Sequence, residues 1–449
     1  MKRGPAHARP GRFGSPFARL WVGFTLASSG DGLAYGALPL LAVVVNPHPL
    51  AVSAVAAADS LPWLLMAIPA GAFADRFERG PVMALANVSR AGVLLVTAIL
   101  VFSGHLTFTV LVLLVLVGAG ARAVYYSSVQ AVMPGLVEPD AFEHANGVLT
   151  STEAGTENLA GPVVGTSLFA VSRAAPFLVD CVALVLSCFP LVRTRSKAPR
   201  PEGSSTSVLE GARLLFANRT LRLLLVIVAS LALLQGMEFG VLVLLATTEW
   251  GVREGAYGLF LAAGAVGGIL GSLSAARLVK RVGSAWTLLG AAVASGGGYL
   301  IMASAPNWTL AGPAFALVGF AVGTGSVVAL SLRQRLTPED LMGRVGGAWR
   351  GIVWGAAPVG AIAAGSVAAI GGLRLPLVLA GVLQCTVAVV LARPLLRSVR
   401  ESAVVASSEP EQEIAIEVGP PPPMIDTGET VIISRAPGPR SEPFTAEAR

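Results

Sequence analysis

The 449-residue chain is 54% apolar before its 51 glycines are counted, only 13% charged, and has a mean hydropathy of +0.71. Soluble domains carry about twice that charge, so the composition excludes a string of water-soluble domains and points to an integral membrane protein. The net charge of +6 fits cytoplasmic-loop arginines better than a nucleic-acid surface, and neither the three cysteines nor the four histidines have the spacing of a disulfide framework, a metal centre or a haem pair.

A membrane-spanning helix needs ~20 largely apolar residues. The chain divides into twelve such stretches: 17–45, 50–74, 81–103, 105–133, 142–170, 175–193, 220–247, 255–278, 285–303, 308–333, 345–370 and 375–395. The first is too long for a signal peptide and lacks a cleavage site, so it is expected to remain as a helix. The period-2 alternation of barrel strands is missing. The expected fold is an all-α membrane protein of twelve transmembrane helices.

The longest internal connection, 195–218, begins RSKAPRPEGSSTS, reads as a flexible cytoplasmic linker and divides the spans six and six. The expected layout is a cytoplasmic tail (1–16), a six-helix bundle (17–194), the linker, a second six-helix bundle (219–396) and a tail (397–449) rich in Pro, Ser and Glu, expected to be disordered. The halves echo each other: GAFADRFERG (71–80) against GSLSAARLVKRVG (271–283), and GPVVG (161–165) against APVG (357–360). Arginine and lysine concentrate on one side of these spans, leaving only Arg173, Arg253 and Arg374 on the other. The positive-inside rule therefore puts both termini in the cytoplasm of a cell-membrane protein. Trp21, Trp286 and Trp349 near inner helix ends, and Trp250 and Trp308 near outer ones, fit interfacial anchors.

No P-loop, HExxH or GxSxG sequence is present, so nothing supports nucleotide use or enzyme chemistry, and no cofactor is expected. Charge within the hydrocarbon is what stands out, because each ionisable residue at a helix centre costs ~2.5–3.5 kcal/mol on insertion scales. Asp31, Asp59, Arg122 and Glu157 fall near mid-depth of the first, second, fourth and fifth spans, and Glu153 lies one turn before Glu157. Tyr35, Trp63 and Tyr126 follow Asp31, Asp59 and Arg122 at one-turn spacing, so each helix face pairs a charge with a ring. The second half is nearly bare, with Glu238 and Arg350.

Arg122 paired with Asp31 or Glu157 would also serve to hold the bundle. One arginine cannot neutralise four carboxylates, however, and burial beside like charges disfavours the ionised form. Proton coupling through Asp31, Glu153 or Glu157 is the expectation, with Glu157 preferred. Asp180 reads as a solvated or capping residue, and Arg90 as snorkelling to the inner interface.

The turn GAFADRFERG, with Gly71, Asp75, Arg76 and Arg79, resembles the signature of the major facilitator superfamily, and the resemblance extends over about 17–396. SSGDGLAYGALPLLA (28–42), ANGVLTSTEAGTENLAGPVVG (145–165) and GRVGGAWRGIVWGAAPVGAIAAG (343–365) are similar to its exporter branch of enterobactin and macrolide efflux proteins. Glu78 and Gly80 depart from the signature, as do Ala275 and Ala276 in the second copy.

The resemblance implies alternating access between two bundles. It implies a cytoplasmic gate in which Asp75 meets the start of the eleventh helix near Gly343 and Arg344, and an antiporter-type helix break at Gly161, Pro162 and Gly165. The expected activity is proton-coupled export of small amphiphilic molecules, drugs or siderophore-like metabolites, by a monomer in the lipid bilayer. Its expected partners are substrate and protons, with no nucleotide or nucleic acid. A nutrient symporter and a non-transporting receptor or scaffold on the same fold are the alternatives.

Overall fold

The structure, a computed structural model, describes residues 14–66, 78–138, 141–194, 208–338 and 341–408. No strand occurs among the described residues. In chain order the helices are α1 (Ser15–Val45), α2 (Pro49–Met66), α3 (Arg79–Ser103), α4 (Phe108–Val132), α5 (Phe142–Glu153), α6 (Gly161–Val171) and α7 (Ala175–Val192). Then follow α8 (Val208–Ala217), α9 (Arg219–Leu244), α10 (Tyr257–Val282), α11 (Ser284–Ser304), α12 (Trp308–Leu336), α13 (Met342–Gly371) and α14 (Leu375–Ser408). Ten helical segments among the described residues are long and apolar enough to cross a membrane.

Two of the twelve expected spans fall outside that set. The described part of the second, α2, is a shorter apolar helix. The fifth is interrupted: α5 passes into a π-helical segment, Ala154–Ala160, before α6 begins. The physical cause is Pro162, which has no N–H to donate and whose ring displaces the carbonyl one turn back, so the backbone widens just before it. Glu157 sits in that wide turn.

Small residues hold the helices close. A Cβ on Gly161 would meet the backbone of Gly32, one on Gly165 that of Leu33, and one on Gly36 that of Pro162. The α1–α6 crossing is therefore a backbone-on-backbone contact, the arrangement apolar helices use when lipid offers no hydrophobic drive. Gly267 and Gly271 of α10 meet Ala316 and Phe320 of α12 in the same way.

Several expectations need amending. Val208–Ala217, inside the expected flexible linker, is an apolar-faced helix. Leu215 is fully buried in a core with Leu221, Val345 and Ala348, and Gly211 lies on the Arg344 backbone. The last helix runs to Ser408, past the expected boundary at 396. Trp250 and Trp349 are buried rather than interfacial, Trp349 under the Arg333 guanidinium, whereas Trp286 and Trp308 are exposed.

Candidate functional site

A cavity of about 360 Å³ lies among α1, α2, α3, α4, α7, α9, α10 and α13, within the size range of small-molecule sites. Its walls are mostly apolar, with Leu38, Val55, Val115, Phe177 and Phe239 among them, and its charged groups are Asp31, Asp59, Arg90, Arg122 and Asp180. Tyr35 also lines it and meets Phe239 edge to face.

Beside the cavity the charges form one network. Asp31 of α1, only 4% exposed, is ion-paired with Arg90 of α3, and its Oδ1 lies 3.7 Å from Arg122 Nε of α4. Arg122 is ion-paired with Glu157, whose second carboxylate oxygen accepts a 2.7 Å hydrogen bond from the Tyr126 hydroxyl. Arg90 also donates to Asn87 Oδ1 at 3.2 Å, and Asn87 donates to Ser187 at 2.8 Å. The Arg90 and Arg122 guanidinium groups lie over the rings of Tyr125 and Tyr126. Each of the two arginines is thus stabilised by a carboxylate partner and a ring in a poorly hydrated setting.

The structure brings together Asp31, Tyr35, Asp59, Arg122, Tyr126 and Glu157. Glu153 is half-buried one turn from Glu157 and has neither an ion pair nor a hydrogen bond among the described residues. Gly161, Pro162 and Gly165 are buried at the α1 crossing. Gly71, Asp75 and Arg76 lie outside the described residues. Arg79 is described and donates to the Ala131 carbonyl, tying the start of α3 to the end of α4.

Two residues were assigned the wrong environment from sequence. Arg90 does not snorkel: it is 5% exposed and pairs with Asp31. Asp180 is not solvated: it is 1% exposed, lines the cavity and packs on Gly30. A usable signal existed for both. Asp180 shares a buried stripe with Leu184, Ser187 and Leu191, and Arg90 follows the buried polar Asn87 by one turn.

Interhelix contacts flank the cavity at both ends. Towards the Val45 end of α1, the Thr166 hydroxyl of α6 accepts from the Gly258 N–H of α10 at 3.1 Å and lies 3.4 Å from the Gly255 carbonyl. A Cβ on Gly365 of α13 would collide with Ser53 of α2 at the same end. At the other end Trp63 of α2 meets Trp354 of α13 at 5.3 Å and Tyr126 of α4 at 5.7 Å between ring centroids.

The profile of the transmembrane secretion effector family matches residues 13–427. The chain is 27% identical over 380 residues to the multidrug efflux pump Tap of Mycolicibacterium fortuitum, covering 79% of this chain and 91% of that protein. It is 24% identical over 288 residues to the enterobactin exporter EntS of Escherichia coli O1:K1 / APEC, covering 62% and 67%. Among solved structures, an inward-facing bacterial homologue of the iron transporter ferroportin superposes with a TM-score of 0.67 at 18% identity, over 84% of this chain and 98% of that one. The nucleoside transporter NupG superposes with a TM-score of 0.68 at 13% identity, over 85% and 99%. The chain belongs to the transmembrane secretion effector family of the major facilitator superfamily, and is an exporter-type membrane transporter rather than an enzyme.

Proposed function

We propose that this exporter is driven by protons and moves small amphiphilic molecules by alternating access. In this reading twelve helices form two six-helix bundles, both termini are cytoplasmic, and the protein works as a monomer in the cell membrane. The observation that carries it is the cavity itself: apolar walls for an amphiphile, with a buried cluster of carboxylates and arginines at its side. Buried ionisable groups in a membrane are costly unless they serve transport or proton transfer. The carboxylates Asp31, Asp59, Glu153 and Glu157 exceed what Arg122 alone would neutralise, and Arg90 adds one more cation without balancing them.

The relatives are named for multidrug and enterobactin export, which favours drug-like or siderophore-like cargo over an imported nutrient. The contact between α6 and α10 supports a state closed on the Val45 side, which this topology makes the outer side. Gly71, Asp75, Arg76 and Arg79 would form the cytoplasmic gate with the start of α13 at Arg344. The docking of α8 on the Arg344 backbone supports that helix end as a fixed receiving point. Asp75→Asn and Arg76→Ala should then slow turnover more than they weaken binding.

The test is transport by the purified protein in liposomes under an imposed pH gradient, using a panel of amphiphilic dyes. Everted vesicles should take up substrate when the lumen is acidified, and a protonophore should stop it. Uptake that ignores the gradient and requires ATP would refute the reading.

A further inference from the structure

Two acidic side chains in this cavity have an oxygen with no partner. Asp180 Oδ1 and Asp31 Oδ2 are both buried and receive no hydrogen bond, although an unsatisfied buried carboxylate oxygen is costly. Asp180 of α7 lies against α1 at Gly30, so closely that a Cβ there would coincide with Asp180 Oδ1. This sets its carboxyl group beside the residue that precedes Asp31. Only a glycine permits that approach.

The charge balance makes Asp180 the odd member. Arg90 is matched by Asp31 and Arg122 by Glu157, and these two are the only cations among the described residues lining the cavity. Within electrostatic reach of Asp180 are the charges of Asp31 on α1, Arg90 on α3, Arg122 on α4 and Glu157 in the π segment. Within reach of Asp31 are also Asp59 on α2, Glu153 on α5 and the phenols of Tyr125 and Tyr126 on α4. Asp59 is also unmatched, but it is only half-buried and opens on the cavity. Asp180 is closed in. With one proton added to Asp31 and Asp180 together, the Arg90 group becomes neutral as a whole.

We propose that Asp31 and Asp180 together hold one exchangeable proton, and that Asp180 is a second proton site of the transporter beside the Arg122–Glu157–Tyr126 cluster. The step balances simply. When the proton leaves for the cavity, Asp180 becomes anionic and Arg90 is drawn from Asp31 towards it, and reprotonation returns Arg90 to Asp31. Because Asp31 is on α1 and Asp180 on α7, this exchange alters the contact between those helices next to the α1–α6 crossing. The inference rests on the proton-driven reading above and adds a second residue that would carry a proton.

The experiment reads protons directly and needs no substrate. Infrared difference spectra of the purified full-length protein, recorded across a pH titration, follow the carbonyl stretch of protonated carboxylic acids. The titrating band of wild type should contain a component that is absent from Asp180→Asn and shifted in frequency in Asp180→Glu. Asp31→Asn should remove the sharing and move the titration point. A band in Asp180→Asn that titrates as in wild type overturns the proposal, as does its presence only when Glu157 is intact. Size-exclusion elution of each variant reports folding, and Asp180→Glu keeps the test decisive if Asp180→Asn misfolds. Gradient-driven transport by wild type, measured separately, tells failure of the proton site from failure of the exporter reading.

Discussion

Glu157 has both its oxygens engaged in the network, one by Arg122 and one by Tyr126. Removing one partner of a buried ion pair leaves an uncompensated charge, an effect of about 3–5 kcal/mol, whereas removing both is often close to neutral. Glu157→Gln and Arg122→Gln should therefore each lower thermal stability clearly, and the double variant should recover a large part of the loss. Glu157→Gln should also abolish gradient-driven accumulation while preserving downhill exchange, because Arg122 keeps Asp31 within 3.7 Å. Thermal unfolding in detergent checks the first statement and counterflow in liposomes the second. Additive losses in the double variant would mean that the pair is not coupled. Glu153→Gln should be milder on both counts, as Glu153 holds no partner among the described residues.

At the scale of elements, the α6–α10 contact combines close backbone packing with few polar ties. Thr166 accepts one well-formed hydrogen bond from Gly258, and Gly258 itself has no room for a side chain against Pro162. A hydrogen bond of this kind contributes about 0.5–1.5 kcal/mol. Thr166→Val should therefore shift opening at the Val45 side by roughly 2–13-fold. The measure is the labelling rate of a cysteine at cavity-lining Phe177 by an impermeant thiol reagent added from that side. Unchanged labelling would show that the hydroxyl does not hold the seam.

Elements also show what a single sequence discloses. The break at Gly161 and Pro162 was legible, because proline and glycine act locally. The π turn it produces, and the close crossing of α1, depend on a partner helix that no local pattern names. Asp31, Arg122, Tyr126 and Glu157 were found because depth along a helix follows from its ends. Arg90 and Asp180 were misjudged because depth alone does not say which neighbour a side chain faces. The helix Val208–Ala217 was hidden by the Pro- and Ser-rich residues before it, which dominate the composition of that stretch.

For the whole molecule, the two seams behave differently. α2 and α13 touch near both ends, Gly365 at Ser53 and Gly355 at Leu64, while α6 and α10 meet towards the Val45 end, where Thr166 holds Gly258. Alternating access then requires the Ser53–Gly365 contact to part when the cavity opens on that side. Trp63, Trp354 and Tyr126, which already meet at the other end, must stay together in that step. Because Tyr126 also donates to Glu157, the state of the charge network reaches that aromatic closure without any further element. The prediction is a reversible lock. With Cys181, Cys188 and Cys385, all free thiols, replaced by serine, Ser53→Cys and Gly365→Cys together should form a disulfide on mild oxidation once α2 and α13 ease apart slightly, since a Cβ at Gly365 lies 2.8 Å from Ser53 Cβ, short of the ~3.5–4.5 Å of a disulfide. Oxidised protein in liposomes should stop transporting and a reductant should restore it to the level of the reduced double variant, with Gly365→Cys alone, which crowds Ser53, measured beside it. Impermeant reagent added at the Val45 side should fail to reach the cavity only in the oxidised double variant. Full transport by the cross-linked protein would show that this seam stays closed throughout the cycle, and that the molecule opens around it instead.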